Sequence, residues 1–177
     1  MAETDSVRYP VGPMERVREP LDEETRRKHI EIIEQAPARI RSLVAGLSQS
    51  ELRQRYRPDG WTVTQLVHHI ADSHLNAYVR MKLAATEATP TVKSYEEASW
   101  AELPDAKHGD VSVSVALIDA LHRRWIAFLR SLSPAELRRS FRHYAWGEVT
   151  IDESITMYSW HCRHHIAHIE AALAQRV

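Results

Sequence analysis

Near its C-terminus the 177-residue chain reads Trp160-His161-Cys162-Arg163-His164-His165-Ile166-Ala167-His168. This stretch belongs to an apolar stripe of helical period, whose members are Ile151, Ile155, Tyr158, Cys162, Ile166, Ile169 and Leu173. The period predicts a long amphipathic helix from Thr150 to about Gln175. We expect Thr150-Ile151-Asp152-Glu153 to open the helix as a capping box.

Two histidine pairs in this stretch stand four residues apart, His161 with His165 and His164 with His168. On a helix, residues at this spacing are neighbours on one face. Imidazole is a common ligand of zinc and nickel, and two imidazoles supply half of a tetrahedral site. The helical wheel places His161 and His165 nearest the apolar stripe, with a small margin over His168.

A third ligand is expected from the upstream run Trp61-Thr62-Val63-Thr64-Gln65-Leu66-Val67-His68-His69-Ile70-Ala71-Asp72-Ser73-His74. Thr62 and Gln65 form a capping box for a helix that we extend to about Glu87. The helical period of this segment predicts that His68 faces solvent. It predicts that His69 lies at the border of the apolar stripe and that His74 lies within the stripe. His69 and His74 both remain candidates, and three protein ligands would leave one position for water, as in catalytic zinc sites.

The other segments predict an all-α four-helix bundle with long loops. Residues 1–21 are interpreted as an extended N-terminal arm and residues 22–177 as a single metal-binding domain. Further predicted elements are a helix from Asp22 to about Gly46 with a kink at Pro37, a short helical turn at 48–51, a long ordered loop over 88–109, a helix at about 111–132, a short helix from Pro134, and an irregular segment at 138–149 with a brief strand pair around Trp146-Gly147.

Composition limits the function classes. Lys and Arg number 23 and Asp and Glu 24, a net charge of -1, so a nucleic-acid partner is not expected. No apolar run approaches the ~18 residues of a membrane span, and residues 1–8 lack the apolar core of a signal peptide. Together with a single cysteine, Cys162, these features predict a cytoplasmic protein without a membrane segment.

Several histidines have simpler interpretations than metal binding. We expect His74 to be a hydrogen-bonded core residue, because a lone histidine on an apolar face is usually one. Cys162 is expected to be a small buried hydrophobic residue. The remaining histidines are assigned to the surface or to loops: His29, His68, His108, His122 and His143.

Taken together, several motifs resemble the DinB-like superfamily, and in particular its YfiT-type branch of metal-dependent hydrolases, related to bacillithiol transferases. The resemblance covers nearly the whole chain, and 138–149 matches less well. Its motifs are Arg8-Tyr9-Pro10-Val11-Gly12, Gly60-Trp61-Thr62-Val63-Thr64-Gln65, the run His68 to Arg80, Thr86-Glu87 before Thr89-Pro90, and Trp160-His161 with His164-His165-Ile166-Ala167-His168-Ile169.

The resemblance implies a four-helix bundle, often a homodimer, that holds one divalent metal ion per subunit, Zn²⁺ or Ni²⁺, through His69, His161 and His165. It implies a small-molecule substrate and either hydrolysis or S-transfer from a low-molecular-weight thiol. Asp72, one turn beyond His69, is either an exposed carboxylate or a residue that orients His69 or acts as a base.

Two other classes of function stay open. A structural metal in a dimeric binding module would require a fourth protein ligand, for which His74, His168 and Cys162 are candidates. A His-rich surface helix that captures metal adventitiously would require none of these residues to converge.

Overall fold

Four long helices dominate the computed structural model, which describes residues 6–175. In chain order the elements are α1 Glu23–Val44, α2 Gln49–Leu52, α3 Val63–Thr86, β1 Thr91–Val92, α4 Glu97–Ala101, α5 Pro104–His108, α6 Val111–Ser131, α7 Pro134–Leu137, β2 Ser140–His143, β3 Gly147–Thr150 and α8 Ile151–Ala174. The predicted all-α four-helix bundle is confirmed, with α1, α3, α6 and α8 as its helices. Helix α1 continues through Pro37 to Val44.

The helices begin where side chains satisfy free backbone N–H groups. Thr62 accepts a hydrogen bond from the Gln65 N–H, and the Gln65 side chain accepts from the Thr62 N–H, so α3 opens with a complete capping box. At α8 the predicted box is only half formed. Thr150 caps the Glu153 N–H, but the Glu153 carboxylate is paired with Arg16 instead of with the Thr150 backbone.

The core consists of two clusters of buried apolar side chains. One contains Ile33, Met81, Trp125 and Ile155, and the other contains Ile40, Ile70, Ile118 and Ile169. Helices α1 and α8 pass from the first cluster to the second, whereas α3 and α6 pass from the second to the first. The two pairs therefore run in opposite directions, and α1 and α3 each pack against both α6 and α8.

Buried histidines lie between these clusters. His74 on α3 stands between Ile70 and Ala77, and His122 on α6 stands between Ile118 and Trp125. On α8 the histidines precede Ile169 in the same way. The bundle thus carries a polar histidine layer at mid-height, where an apolar core would otherwise be continuous.

The segment 88–109 was predicted as a long ordered loop, but it contains regular secondary structure, namely strand β1 and helices α4 and α5. Strand β1 pairs parallel with β2, and β2 pairs antiparallel with β3. The β2–β3 hairpin confirms the brief strand pair expected around Trp146-Gly147, and Gly147 adopts the positive φ of 70° that its turn requires.

The N-terminal arm lies along α8. It contains a helical turn at residues 6–8 and a tighter turn in which the Gly12 N–H donates to the Tyr9 carbonyl. The Trp160 indole donates to the Gly12 carbonyl at 3.0 Å, and Arg16 pairs with Glu153. Residues 1–5 of the predicted arm fall outside the described part. Across residues 6–175, none of the helices has both the length and the apolar character needed to cross a membrane.

Candidate metal centre

Three histidines from two helices converge at one point. His69 on α3 and His161 and His165 on α8 each offer a ring nitrogen, and the three nitrogens lie within 4.8 Å of one another. The Nε2 atoms of His69 and His161 are 3.2 Å apart. Two nitrogens bound at 2.0–2.1 Å to one tetrahedral ion stand about 3.3 Å apart, so this pair fits a shared zinc-like ion.

The three rings are neutral and therefore able to act as ligands. Removal from water lowers the pKa of His69 to about 4. The same desolvation, with repulsion from neighbouring histidines, holds the pKa values of His161 and His165 well below their ordinary range. A nitrogen that is not protonated at neutral pH needs no proton removed before it binds a cation.

A second group of donors lies beside the first and shares one residue with it. His164, His165 and His168 also bring ring nitrogens within 4.8 Å of one another. The His168 Nδ1 is 3.4 Å from the His165 Nδ1, and the His168 Nε2 is 3.2 Å from the Arg8 carbonyl. The Nδ1 of His164 is buried and has no hydrogen-bond partner in the described part of the chain.

In the described part of the chain, a fourth protein ligand does not join the first group. Both ring nitrogens of His74 are engaged, one with His122 at 2.8 Å and the other with the Nδ1 of His161 at 3.0 Å. Burial raises the pKa of Cys162 to about 12, so its thiol stays protonated in the core, as predicted. Among residues 6–175, no further histidine, cysteine or carboxylate donor completes the cluster of three within 4.8 Å.

The three histidines line a cavity of about 610 Å³, the size of a site for a small organic molecule. The arm, α3, α8 and the sheet all contribute to its walls. Besides the three histidines, the lining residues include Tyr9, Trp61, Ser73, Tyr95, Tyr158 and Trp160. The Trp61 ring packs against His69 with centroids 4.6 Å apart, so an aromatic wall stands directly beside the donor cluster.

Asp72 lies elsewhere. Its side chain does not line the cavity, and partial burial together with the neighbouring Asp105 carboxylate raises its pKa. Asp72 is half-buried, whereas one of its two predicted roles was an exposed carboxylate.

Two histidine assignments were wrong. His68, expected in solvent, is half-buried and bonded to the Ser114 hydroxyl at 2.8 Å, because the ordered 88–109 segment folds over it. His122, expected at the surface, is 1% exposed and hydrogen-bonded to His74. His122 lies four residues after Ile118 and three before Trp125, which places it on the core face of the helix. This spacing could have identified His122 as a core residue.

The remaining loop and surface histidines are less buried. His108 is exposed, whereas His29 and His143 are half-buried, and the Nδ1 of His29 is 2.9 Å from the Ser159 hydroxyl. Tyr158 and Trp160 on α8 both line the cavity.

Comparison with known proteins gives a consistent picture. The sequence model of the DinB superfamily matches residues 32–169. A protein of Bacillus mycoides strain KBAB4 named "Putative metal-dependent hydrolase" is 47% identical over 163 residues, which cover 92% of this chain and 93% of that protein. The "Putative metal-dependent hydrolase YfiT" of Bacillus subtilis strain 168 is 44% identical over 162 residues, or 91% of this chain and 90% of its own length.

A solved structure has the same fold. It is described as "YfiT from Bacillus subtilis is a probable metal-dependent hydrolase with an unusual four-helix bundle topology". It superposes with a TM-score of 0.89 at 42% identity, covering 93% of this chain and 94% of that one.

Proposed function

The chain belongs to the DinB superfamily, and from that premise we propose that it is a metal-dependent hydrolase of a small-molecule substrate. His69, His161 and His165 hold one divalent metal ion, zinc or nickel. The observation that carries the proposal is the convergence of these three neutral imidazoles, from two helices, on the wall of a cavity.

A divalent ion held there would act as a Lewis acid, polarising a substrate carbonyl and lowering the pKa of a coordinated water toward neutrality. The protein supplies the rest of the chemistry. The three histidines bring no charge of their own, so the full positive charge of the ion remains available. Trp61 and Tyr158 line the cavity and restrict water around the reacting atoms.

The lack of a fourth protein donor beside the three histidines, in the part of the chain that the structure describes, favours catalysis over a purely structural metal. Structural zinc sites close with four protein ligands, whereas catalytic sites keep one position for water or substrate. His74 and Cys162, two of the candidate fourth ligands, are occupied in the core as described above. The third, His168, has its Nδ1 directed at His165 and its Nε2 at the Arg8 carbonyl.

Thiol transfer is the second candidate. The guanidinium-bearing residues Arg8, Arg57 and Arg80 line the cavity, together with the acidic Asp59 and Glu97. Guanidinium groups bind carboxylates well, and small cellular thiols commonly carry carboxylates. This observation favours a charged substrate, of which a low-molecular-weight thiol is one class.

The experiment is an assay of protein purified without a tag, stripped of metal and reloaded with zinc or nickel. Ester and amide substrates are tested with and without added thiols and electrophiles. We expect hydrolysis only in the metal-loaded protein, lost in His161→Gln and kept in the exposed control His108→Gln. A rate that requires an added thiol assigns thiol transfer instead, and a rate independent of metal contradicts both candidates.

A further inference from the structure

A row of histidines crosses the bundle behind the metal centre. The Nδ1 of His161 is 3.0 Å from the Nε2 of His74. The Nδ1 of His74 is 2.8 Å from the Nε2 of His122, and the Nδ1 of His122 is 2.7 Å from the Ile33 carbonyl oxygen. The row therefore begins at a proposed ligand on α8, passes through α3 and α6, and ends on the backbone of α1.

The carbonyl at the end of the row is free because of a proline. In a helix the Ile33 carbonyl accepts from the N–H of the fourth residue along, which is Pro37, and proline has no N–H. A buried carbonyl without a partner is costly, so a donor from another helix is required. His122, 1% exposed, supplies it.

That carbonyl sets the direction of every hydrogen bond in the row. A carbonyl only accepts, so the Nδ1 of His122 carries the hydrogen, and in a neutral ring its Nε2 is then an acceptor. His74 must therefore donate from Nδ1 and accept at Nε2. It follows that His161 donates from Nδ1, which leaves its Nε2 without a hydrogen. The lone pair of this Nε2 lies near the His69 Nε2, at 3.2 Å, and the Ser73 hydroxyl, at 3.3 Å.

The rings of the row are neutral. His74 is fully buried and His122 nearly so, and their ring nitrogens are hydrogen-bonded to neighbouring histidines and to the Ile33 carbonyl. Desolvation lowers the pKa of His122 to about 4, although the hydrogen bond to the Ile33 carbonyl and the Asp119 carboxylate both oppose the shift. Neutral histidine in water favours hydrogen on Nε2, so the row imposes the other tautomer on His161.

The arm provides a shorter version of the same arrangement. The Nε2 of His168 faces the Arg8 carbonyl at 3.2 Å and so carries its hydrogen. The Nδ1 of His168 is then an acceptor, 3.4 Å from the Nδ1 of His165. This contact lets His165 also present an Nε2 without a hydrogen, so His168 supports a member of the first donor group.

We propose that His122, acting through His74, is a positioning residue that fixes His161 in the Nδ1–H tautomer and so directs its Nε2 lone pair at the metal. The metal-binding part of this inference rests on the proposed function, but the tautomer itself does not. The proposal also gives Pro37 a role. Because proline has no N–H, the Ile33 carbonyl is available to accept the hydrogen bond from His122. A proton placed on the wrong nitrogen of His161 would block the ligand position.

The test is a long-range ¹H–¹⁵N spectrum of the imidazoles in full-length, metal-free protein, with zinc affinity measured by competition with a chelator. The matched variants are His122→Gln, whose amide can accept from His74 and donate to the Ile33 carbonyl, and His122→Leu, which can do neither. We expect His161, His74 and His122 to carry hydrogen on Nδ1 in the wild type. His122→Gln should keep the His161 tautomer and the affinity, whereas His122→Leu should mix the tautomers and weaken zinc binding about 10- to 100-fold.

The proposal is overturned by a wild-type spectrum with hydrogen on the Nε2 of His161, a result that needs no variant to fold. It is also overturned if folded His122→Leu keeps both the wild-type tautomer and the wild-type zinc affinity. If the tautomers are as expected but zinc does not bind, the proposed function fails and the tautomer assignment stands.

Discussion

At the scale of single residues, the site depends on keeping imidazoles neutral in a protein interior. His69 is 8% exposed and His122 is 1% exposed, and burial lowers the pKa of each to about 4. A protonated ring at either position would repel a cation or reverse a hydrogen bond. Burial therefore stabilises the neutral form that the site needs, but it lowers the free energy of unfolding at acidic pH.

The stability of the metal-free protein should therefore depend on pH. Between pH 6.5 and about 4 the unfolded chain protonates histidines that the folded chain keeps neutral. The free energy of unfolding should therefore fall as pH falls through this window, and the histidine contribution should level off near pH 7. A shift from 6.5 to about 4 is worth roughly 3 kcal/mol per histidine at the acid end. Urea unfolding at several pH values measures it.

Two variants serve as controls for this dependence. His122→Gln should have a shallower slope, because one titrating ring is removed, and His108→Gln should match the wild type, because His108 is exposed. A free energy of unfolding that stays constant from pH 6.5 to 4 would contradict the neutral histidine layer.

The sequence predicted part of this site and missed the rest for a physical reason. Helical spacing singled out His161 and His165 as a pair and kept His69 as one of two candidates, since spacing reports which residues share a face. It could not identify the row through His122, because hydrogen bonds between helices depend on how three separate faces meet. Which of the convergent histidines bind metal stays a prediction.

At the scale of elements, the position of His69 depends on how α3 begins. Its capping box fixes the first turn, where the Thr62 hydroxyl accepts from the Gln65 N–H at 3.2 Å. The Gln65 amide also donates to the Ala101 carbonyl at 2.8 Å, which ties the start of α3 to α4. His69 follows one turn later.

Thr62→Ala should therefore lower the free energy of unfolding by about 1 kcal/mol and also weaken zinc binding. The matched control is Ser133→Ala, which breaks the equivalent capping box of α7, away from the histidines. It should reduce stability by a comparable amount and leave zinc affinity unchanged. Denaturant unfolding and chelator competition on both variants give the comparison, and equal affinity losses would count against a specific role for the α3 start.

The elements also show where periodicity stops being informative. The four long helices were predictable because each buries an apolar stripe over more than five turns. Strand β1 was not, because it has two residues and its partners in β2 lie about fifty positions away, Thr91 opposite Arg142. A pairing that short has no period of its own, and only the folded bundle brings its strands together.

At the scale of the whole molecule, the arm closes the structure over α8. Arg16 pairs with the buried Glu153 and donates to the Trp146 carbonyl, so one side chain links the arm, the β2–β3 hairpin and α8. Arg26 on α1 similarly pairs with buried Asp152 at 2.6 Å. Homodimer formation, implied by the family resemblance, stays a prediction.

Arg16→Met should lower the free energy of unfolding by about 3 kcal/mol, because it leaves a carboxylate that is 5% exposed without its partner. The control is Arg39→Met, which breaks the pair with Glu170, where the side chains are 54% and 42% exposed, and should cost less than about 1 kcal/mol. Chemical denaturation of both variants measures the difference. Equal costs would show that the arm is not held by this pair.

The most direct measurement is the metal content of protein purified without a tag. The account predicts about one zinc or nickel per wild-type chain, almost none in His69→Ala, and the wild-type ratio in His108→Ala. If His69→Ala retains the wild-type metal-to-protein ratio, the three-histidine centre is contradicted.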